Sequence, residues 1–217
     1  MRLIKVETRP MLAALRSHSV LHQGHEVRIH GRGGQGAVLA SSILAQALIE
    51  DGKHAVAIPS FGFERRGAPV AAFLRFSSKP IRAMTNVYRP DCVICIDPTV
   101  HRSVDIYAGM QPDGTVVLTT KAKLEELNFP DAVTRVGLCD AVGIALPIYR
   151  KPVTNAVMLG AFARTTGLLS LASLKEALQQ MEFRDAGLTQ NLEAAERGYS
   201  ETQVHNLSTV GDAAAVA

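Results

Sequence analysis

Residues Gly31-Arg32-Gly33-Gly34-Gln35-Gly36 place four glycines in six positions, directly after a strand-like stretch and directly before a helical one. Glycine accepts positive φ and lets another group come close to the backbone. The first turn of a following helix carries N–H groups with no partner inside the helix. Together these attract an anion or a carbonyl oxygen. The letters Gly31-x-Gly33-x-x-Gly36 match the dinucleotide-binding fingerprint, in the strand-to-helix context where it belongs. A nicotinamide site also asks for Asp or Glu about 20 residues further on, closing the second strand, to hold ribose hydroxyls. Here that strand, HAVAIPS at 54–60, closes without an acid, and Glu64 comes later, inside another motif. Three readings stay open for the turn. It packs a helix on a sheet and nothing more, it binds a dinucleotide, or it meets a partner chain or a phosphate-bearing ligand other than a nicotinamide.

A second stretch, Pro59 to Pro69, sets Phe61, Phe63, Arg65 and Arg66 among Gly62, Gly67 and the two prolines, with Glu64 between. Neither a buried strand nor an ordinary polar turn favours that mixture. Aromatic and Arg side chains on an exposed loop suit interfaces and anion contacts; the plainer alternative is a local Glu64–Arg ion pair that stiffens the loop. Asp97-Pro98 follows the apolar run CVICI, where open α/β sheets place their ligand crevices, although a capping or turn role also accounts for the acid.

The remaining chemistry-bearing residues exclude more than they suggest. Cys92 and Cys95 spell C-x-x-C, but inside an apolar strand, where residues three apart point to opposite faces and cannot share a metal or a disulfide. Three cysteines in all fit a reducing cytoplasm better than a disulfide framework, and they form no cluster able to hold an iron–sulfur centre. The seven histidines show no metal-ligand spacing, and neither a Ser-His-Asp set nor a carboxylate pair can be assembled. The chain shows no catalytic machinery of its own. Its net charge of +3 is scattered, which does not indicate nucleic acid, and there is no 18-residue apolar stretch for a membrane span.

The elements that must position these motifs read as α/β. A length of 217 residues suits one domain, and 47% hydrophobic residues with 5% aromatics describe a core of Ala, Val, Leu and Ile. Strands are predicted at 26–30, 54–60, 69–76, 91–97, 114–120 and 132–138. Helices are predicted near 36–51, 99–109, 156–167 and 188–199, with a short helical turn near 121–127. Ser173-x-x-Glu176 reads as a capping box opening a further helix. The fold class is a doubly wound, mostly parallel sheet flanked by helices, Rossmann-like, with a helical C-terminal part. Residues 1–25 form an N-terminal extension, read as lying on a neighbouring chain; 26–200 form the domain; 201–217 form a tail, frayed from 208 onward.

The two unusual loops together carry a family resemblance. HGRGGQGAV, then FGFERRGAPV, then a strand ending in IDP, resemble the gamma subunit of the 2-oxoacid:ferredoxin (or other acceptor) oxidoreductases, of which pyruvate:ferredoxin oxidoreductase is the familiar member. Pro147 and the NAVMLGA segment from Asn155 agree as well, and the likeness covers roughly residues 26–200. It implies a cytoplasmic complex that decarboxylates a 2-oxo acid oxidatively and passes the acyl group to coenzyme A. Alpha and beta subunits would hold thiamine diphosphate and Mg2+. The [4Fe-4S] clusters would lie on a delta (ferredoxin-like) or beta component, and ferredoxin or another acceptor would take the electrons. The gamma chain itself would bind no cofactor alone, contributing assembly and part of the approach for coenzyme A, the co-substrate. The resemblance assigns that approach to Gly31, Arg32, Gly33, Gly34, Gln35, Gly36, Phe61, Gly62, Glu64, Arg65, Arg66, Gly67 and Asn155. Two departures stand out: the extension before Glu26 is longer than the family's usual one, and Leu118-Thr119-Thr120 stands where many relatives have Asn followed by Ser or Thr. The rival readings are a free-standing NAD(P)-binding reductase and a purely structural scaffold.

Overall fold

Val27 and Ile29 alternate with Arg28 and His30 along β1 (Gly24–Arg32), and that alternation sorts the sheet into two unlike faces. The computed structural model describes residues 24–59, 66–181 and 187–207. The reading of 1–25 as an extension, apart from Gly24 and His25 at the start of β1, and of 208–217 as frayed, falls outside the described residues. After β1 come α1 (Ala37–Glu50), β2 (His54–Pro59), β3 (Pro69–Ser77), β4 (Cys92–Cys95), β5 (Gly114–Thr119) and β6 (Val133–Cys139). Four helices follow, α2 (Ala141–Tyr149), α3 (Asn155–Thr166), α4 (Leu171–Gln179) and α5 (Leu188–Glu201), and then β7 (Gln203–Asn206).

The seven strands lie in the order β2-β3-β1-β4-β5-β6-β7. β1, β4, β5 and β6 run parallel, whereas β3 is antiparallel to both β1 and β2, and β7 to β6. The sheet is therefore mixed and, as expected, mostly parallel: β2, being antiparallel to β3, runs the same way as β1, β4, β5 and β6, and among the described strands β3 and β7 run against them. β2 is carried over from β1 by α1 as in a βαβ unit, but β3 occupies the place beside β1 that β2 would take. The unit is split by one strand.

Residues from all five α-helices join one core, with Val27 and Ile29 of β1 and Cys92 and Ile94 of β4. The opposite core is smaller and holds Val93 and Cys95 of β4 with apolar residues of β5 and β6, and no α-helix enters it. The winding is thus one-sided in its helices. Cys92 and Cys95 fall in different cores, as the strand period requires. Burial pushes both thiols up, Cys95 to about 12.

Two buried arginines hold coil over the helix-free face. Arg28 donates to the carbonyls of Ile106 (2.9 Å) and Ala108 (2.7 Å). Arg75 pairs with Glu26 at 2.7 Å and donates to the carbonyls of Thr85 and Asn86. This explains the first difference from the sequence reading. In place of a helix over 99–109 there is one 3-10 turn, Val100–Arg102, followed by turns. Arg28, reaching across from β1, fixes the carbonyls of Ile106 and Ala108 in this turn arrangement. Beside Arg28, His30 is held neutral: burial, then the Arg28 charge, push its pKa down to about 4 against a smaller upward pull from Asp105.

Three more differences have local causes. α2 was not anticipated because Pro147 lies inside it, while Asp140 caps it by accepting from Gly143 N at 2.9 Å. α4 opens at Leu171, not at the predicted box: Ser170 is the extended residue after Gly167, and its Oγ accepts from Ser173 N at 3.0 Å. β7 lies in the stretch read as tail, where Val204 pairs with Gly137 of β6. Finally, α3 and α5 cross at glycines. A Cβ on Gly160 would lie 2.0 Å from the Ala195 carbonyl oxygen, and one on Gly198 2.0 Å from that of Val157.

Candidate functional site

The glycine turn sits at the carboxyl edge of the parallel strands, where β1 and β4 end and α1 and α3 begin. Three of the four glycines have a reason of their own. At Gly31 a Cβ would meet Ile96 Cγ1 at 2.7 Å, and at Gly36 it would meet Asn155 Nδ2 at 2.8 Å. Gly34 and Gly36 take φ values of 91° and 82°, a region that L side chains rarely adopt. Gly36 is the N-cap of α1, with no side-chain cap and no acid in the first turn. The helix's leading N–H groups are therefore without a capping partner from a side chain.

Asp97 organises the turn. Only 5% of it is exposed, at the end of β4. Its Oδ2 accepts from Gln35 Nε2 at 2.6 Å, and its Oδ1 from Arg32 Nε at 3.3 Å, Thr99 N at 2.8 Å and Thr99 Oγ1 at 2.7 Å. Burial alone would push this carboxyl up, but hydrogen bonds from Gln35 and Thr99 and the Arg32 charge outweigh it and hold Asp97 below the usual carboxylate range. Gln35 works at both ends, since its Oε1 accepts from Arg32 N at 2.8 Å. Arg32 is also fully engaged, donating to Gly67 O, Thr99 Oγ1 and Ser103 Oγ.

The two sequence loops are joined by backbone. Gly33 N donates to Ala68 O at 2.8 Å and Gly67 N to Gly33 O at 3.1 Å, extending the β1–β3 ladder past its last strand pair. Arg66 is exposed beside this ladder and has no ion-pair partner among the described residues. Gly31 to Gly36, Gly67 and Asn155 are thus brought together, with Arg66 next to them. Arg32 and Gln35 are committed to the architecture of the turn, which leaves the helix start without a side-chain cap and Arg66 exposed. Phe61, Gly62, Glu64 and Arg65 lie outside the described residues. Asp97, read from sequence as a cap or turn residue, is the residue whose importance was understated; its place at a strand end was the available signal. Thr99 and Thr154 gave none. Thr154 Oγ1 donates to Ile96 O at 2.7 Å, fastening the start of α3 to the end of β4.

A cleft of about 260 Å3 opens nearby on the helix-free face, lined by Cys95, Asp105, Tyr107, Thr119, Thr120 and Glu126 among others. The donor set does not fit a metal or an iron–sulfur cluster: no group of three His, Cys, Asp or Glu converges among the described residues. No helix among them is long and apolar enough to cross a membrane.

The pyruvate ferredoxin/flavodoxin oxidoreductase family matches residues 26–201, which include every element of this edge. The chain belongs to that family. Among curated members of the oxidoreductase family, the gamma subunit of the NADH-dependent phenylglyoxylate dehydrogenase of Aromatoleum evansii is 62% identical over 84% of this chain and 96% of its own length. The common gamma subunit of the pyruvate/ketoisovalerate oxidoreductases of Thermococcus kodakarensis is 45% identical over 84% of this chain and 99% of its own. In three dimensions, the crystal structure of pyruvate oxidoreductase subunit PORC from Thermotoga maritima superposes with a TM-score of 0.72 at 34% identity, covering 85% of this chain and 99% of that one. The chain is accordingly a gamma-type subunit of the 2-oxoacid oxidoreductase family, and the resemblance drawn from the two loops is borne out.

Proposed function

We propose that this gamma-type subunit presents its glycine turn and the Arg66 segment to the phosphates of coenzyme A, in a complex that converts a 2-oxo acid, coenzyme A and an oxidised acceptor into acyl-CoA, CO2 and the reduced acceptor. The observation that carries this is the reciprocal Gly33–Gly67/Ala68 ladder, which joins the segment of the exposed Arg66 to a glycine turn whose helix starts without a side-chain cap. Phosphate oxygens suit both groups: backbone N–H groups at a helix start, and a charged planar donor. The chain's role is binding and assembly. Thiamine diphosphate, when bound on the alpha and beta subunits, supplies the carbon–carbon cleavage, and iron–sulfur clusters on a delta or beta component carry the electrons. The relative at 62% identity, against 45% for a pyruvate/ketoisovalerate one, supports an aromatic 2-oxo acid as substrate and NAD as acceptor.

A free-standing nicotinamide-binding reductase is disfavoured by topology as well as by the missing acid. With β3 between them, the end of β2 lies two strands from the glycine turn, roughly 10 Å away, out of place for a ribose contact.

The assembled complex provides the test. Arg66→Lys keeps the charge and loses the fork, so KM for coenzyme A should rise about 10-fold or more, as for one good charged contact of about 1.5 kcal/mol, while the complex elutes unchanged. Phenylglyoxylate with NAD should outperform pyruvate with ferredoxin. An unchanged KM, together with easier dissociation of the complex, would assign Arg66 to a subunit contact instead.

A further inference from the structure

Met84 and Tyr88, at 65% and 72% exposure, are the most exposed large apolar side chains among the described residues. Both stand in the connection 78–90 between β3 and β4, SKPIRAMTNVYRP, which contains Lys79, Arg82 and Arg89 and no acid. An exposed apolar pair on a mobile coil would mean little, but this coil is fixed from Thr85 to Pro90, the stretch that holds Tyr88 and adjoins Met84. Arg75, itself paired with Glu26, grips the carbonyls of Thr85 and Asn86. Val87 is 1% exposed and anchors the middle. At the far end Gln111 N donates to Pro90 O at 2.9 Å, and Arg89 to Gln111 Oε1 at 3.2 Å. Gly109 passes so close beneath that a Cβ there would lie 2.2 Å from Tyr88 O.

We infer that this pinned coil is a docking surface for a different subunit of the complex, one that offers an apolar socket rimmed with carboxylates. Met, Tyr and Arg are the residue types enriched at interface centres, and a surface ordered in advance loses little entropy on binding. Charge decides the kind of partner. Lys79, Arg82 and Arg89 have no ion-pair partner among the described residues, while the neighbouring acids Glu26 and Asp91 are engaged by Arg75 and by His25. A second copy of this chain, meeting across a twofold axis, would set this unneutralised basic patch against itself. An acidic partner would neutralise it. The surface lies at the amino edge of the parallel strands, since Ser77 pairs with Gly24 and Asp91 N donates to Glu26 O. It is therefore at the end of the sheet opposite the glycine turn.

This inference rests on the reading that the chain works inside a hetero-oligomeric complex, and the test separates the two. Parent and variant chains are co-expressed with their partner subunits, and dissociation of the purified complexes is followed by mass photometry on dilution. Met84→Ser with Tyr88→Ser should weaken assembly about 10- to 100-fold, while the thermal melt of the isolated chain stays within a few degrees of the parent's. Arg82→Glu with Arg89→Glu should weaken it at low salt, and the difference from the parent should shrink as salt rises. A parent that assembles, with both variants assembling equally well, overturns the docking surface alone. So does a parent that dimerises by itself through this coil when the variants do not. A parent that purifies without partners overturns the assembly reading along with it.

Discussion

At the scale of single residues, Asp97 does more for the site than any glycine. It receives Gln35, Arg32 and Thr99 together, so the shape of the turn depends on one carboxylate. Asp97→Asn keeps the size but loses the charge, and its amide N–H groups would face the donors of Gln35 or Arg32. The expected cost is about 1.5–3 kcal/mol of stability at neutral pH. The pH dependence has a definite sign. Because the folded pKa is held below the unfolded one, the carboxylate stabilises the protein above the unfolded value near 4, and this contribution disappears as pH falls through the folded pKa. Thermal melts of parent and variant should therefore lie apart at pH 7 and converge below about pH 4; a constant gap would mean that shape, not charge, holds the turn. The glycines of the turn could be read in the sequence because their type is the signal. The role of Asp97 could not, since an acid at a strand end looks the same whether it caps one turn or gathers three side chains from separate segments.

Elements were legible where their own period determined them. Alternation marked β1, short apolar runs marked β3, β4, β5 and β6, and the small-residue run after Asn155 marked α3. What stayed hidden depended on distant partners. Arg28 fixes the turns near residues 106 and 108 through their carbonyls, β7 is four residues that make sense beside β6, and β3 enters between β1 and β2 through pairings some 40 residues apart in sequence. The crossing of α3 and α5 shows how tightly such distant partners can be specified. Gly160→Ala would drive a Cβ to within 2.0 Å of the Ala195 carbonyl oxygen, on a backbone that cannot swing aside as a side chain could. A loss of about 1–3 kcal/mol is expected, read by urea unfolding. Gly187→Ala, where the nearest neighbour would be Gln190 Oε1 at 3.7 Å, serves as the control and should change stability by under about 1 kcal/mol. Equal effects at the two positions would mean that the helices can move apart.

For the whole molecule, the two ends of the sheet carry different work. The carboxyl edge holds the glycine turn and Arg66, and the amino edge holds the pinned coil, separated by the length of β1, roughly 25–30 Å for nine residues. Sites so far apart, with no shared contacts, should act independently. Combining Arg66→Lys with Met84→Ser and Tyr88→Ser should therefore give the product of the separate effects on coenzyme A KM and on assembly, within about 0.5 kcal/mol; strong coupling would mean that one partner spans both edges. The strand that splits the βαβ unit has a further outcome. Because β2 and β3 are antiparallel neighbours, they are the two arms of a hairpin, and the register of those arms below the tip is set by buried Ala72, Leu74 and Phe76. Descendants of such a gene can lengthen, shorten or rewrite that tip without shifting a single pair in the sheet. A lineage could thereby retune what the edge recognises while inheriting the scaffold intact.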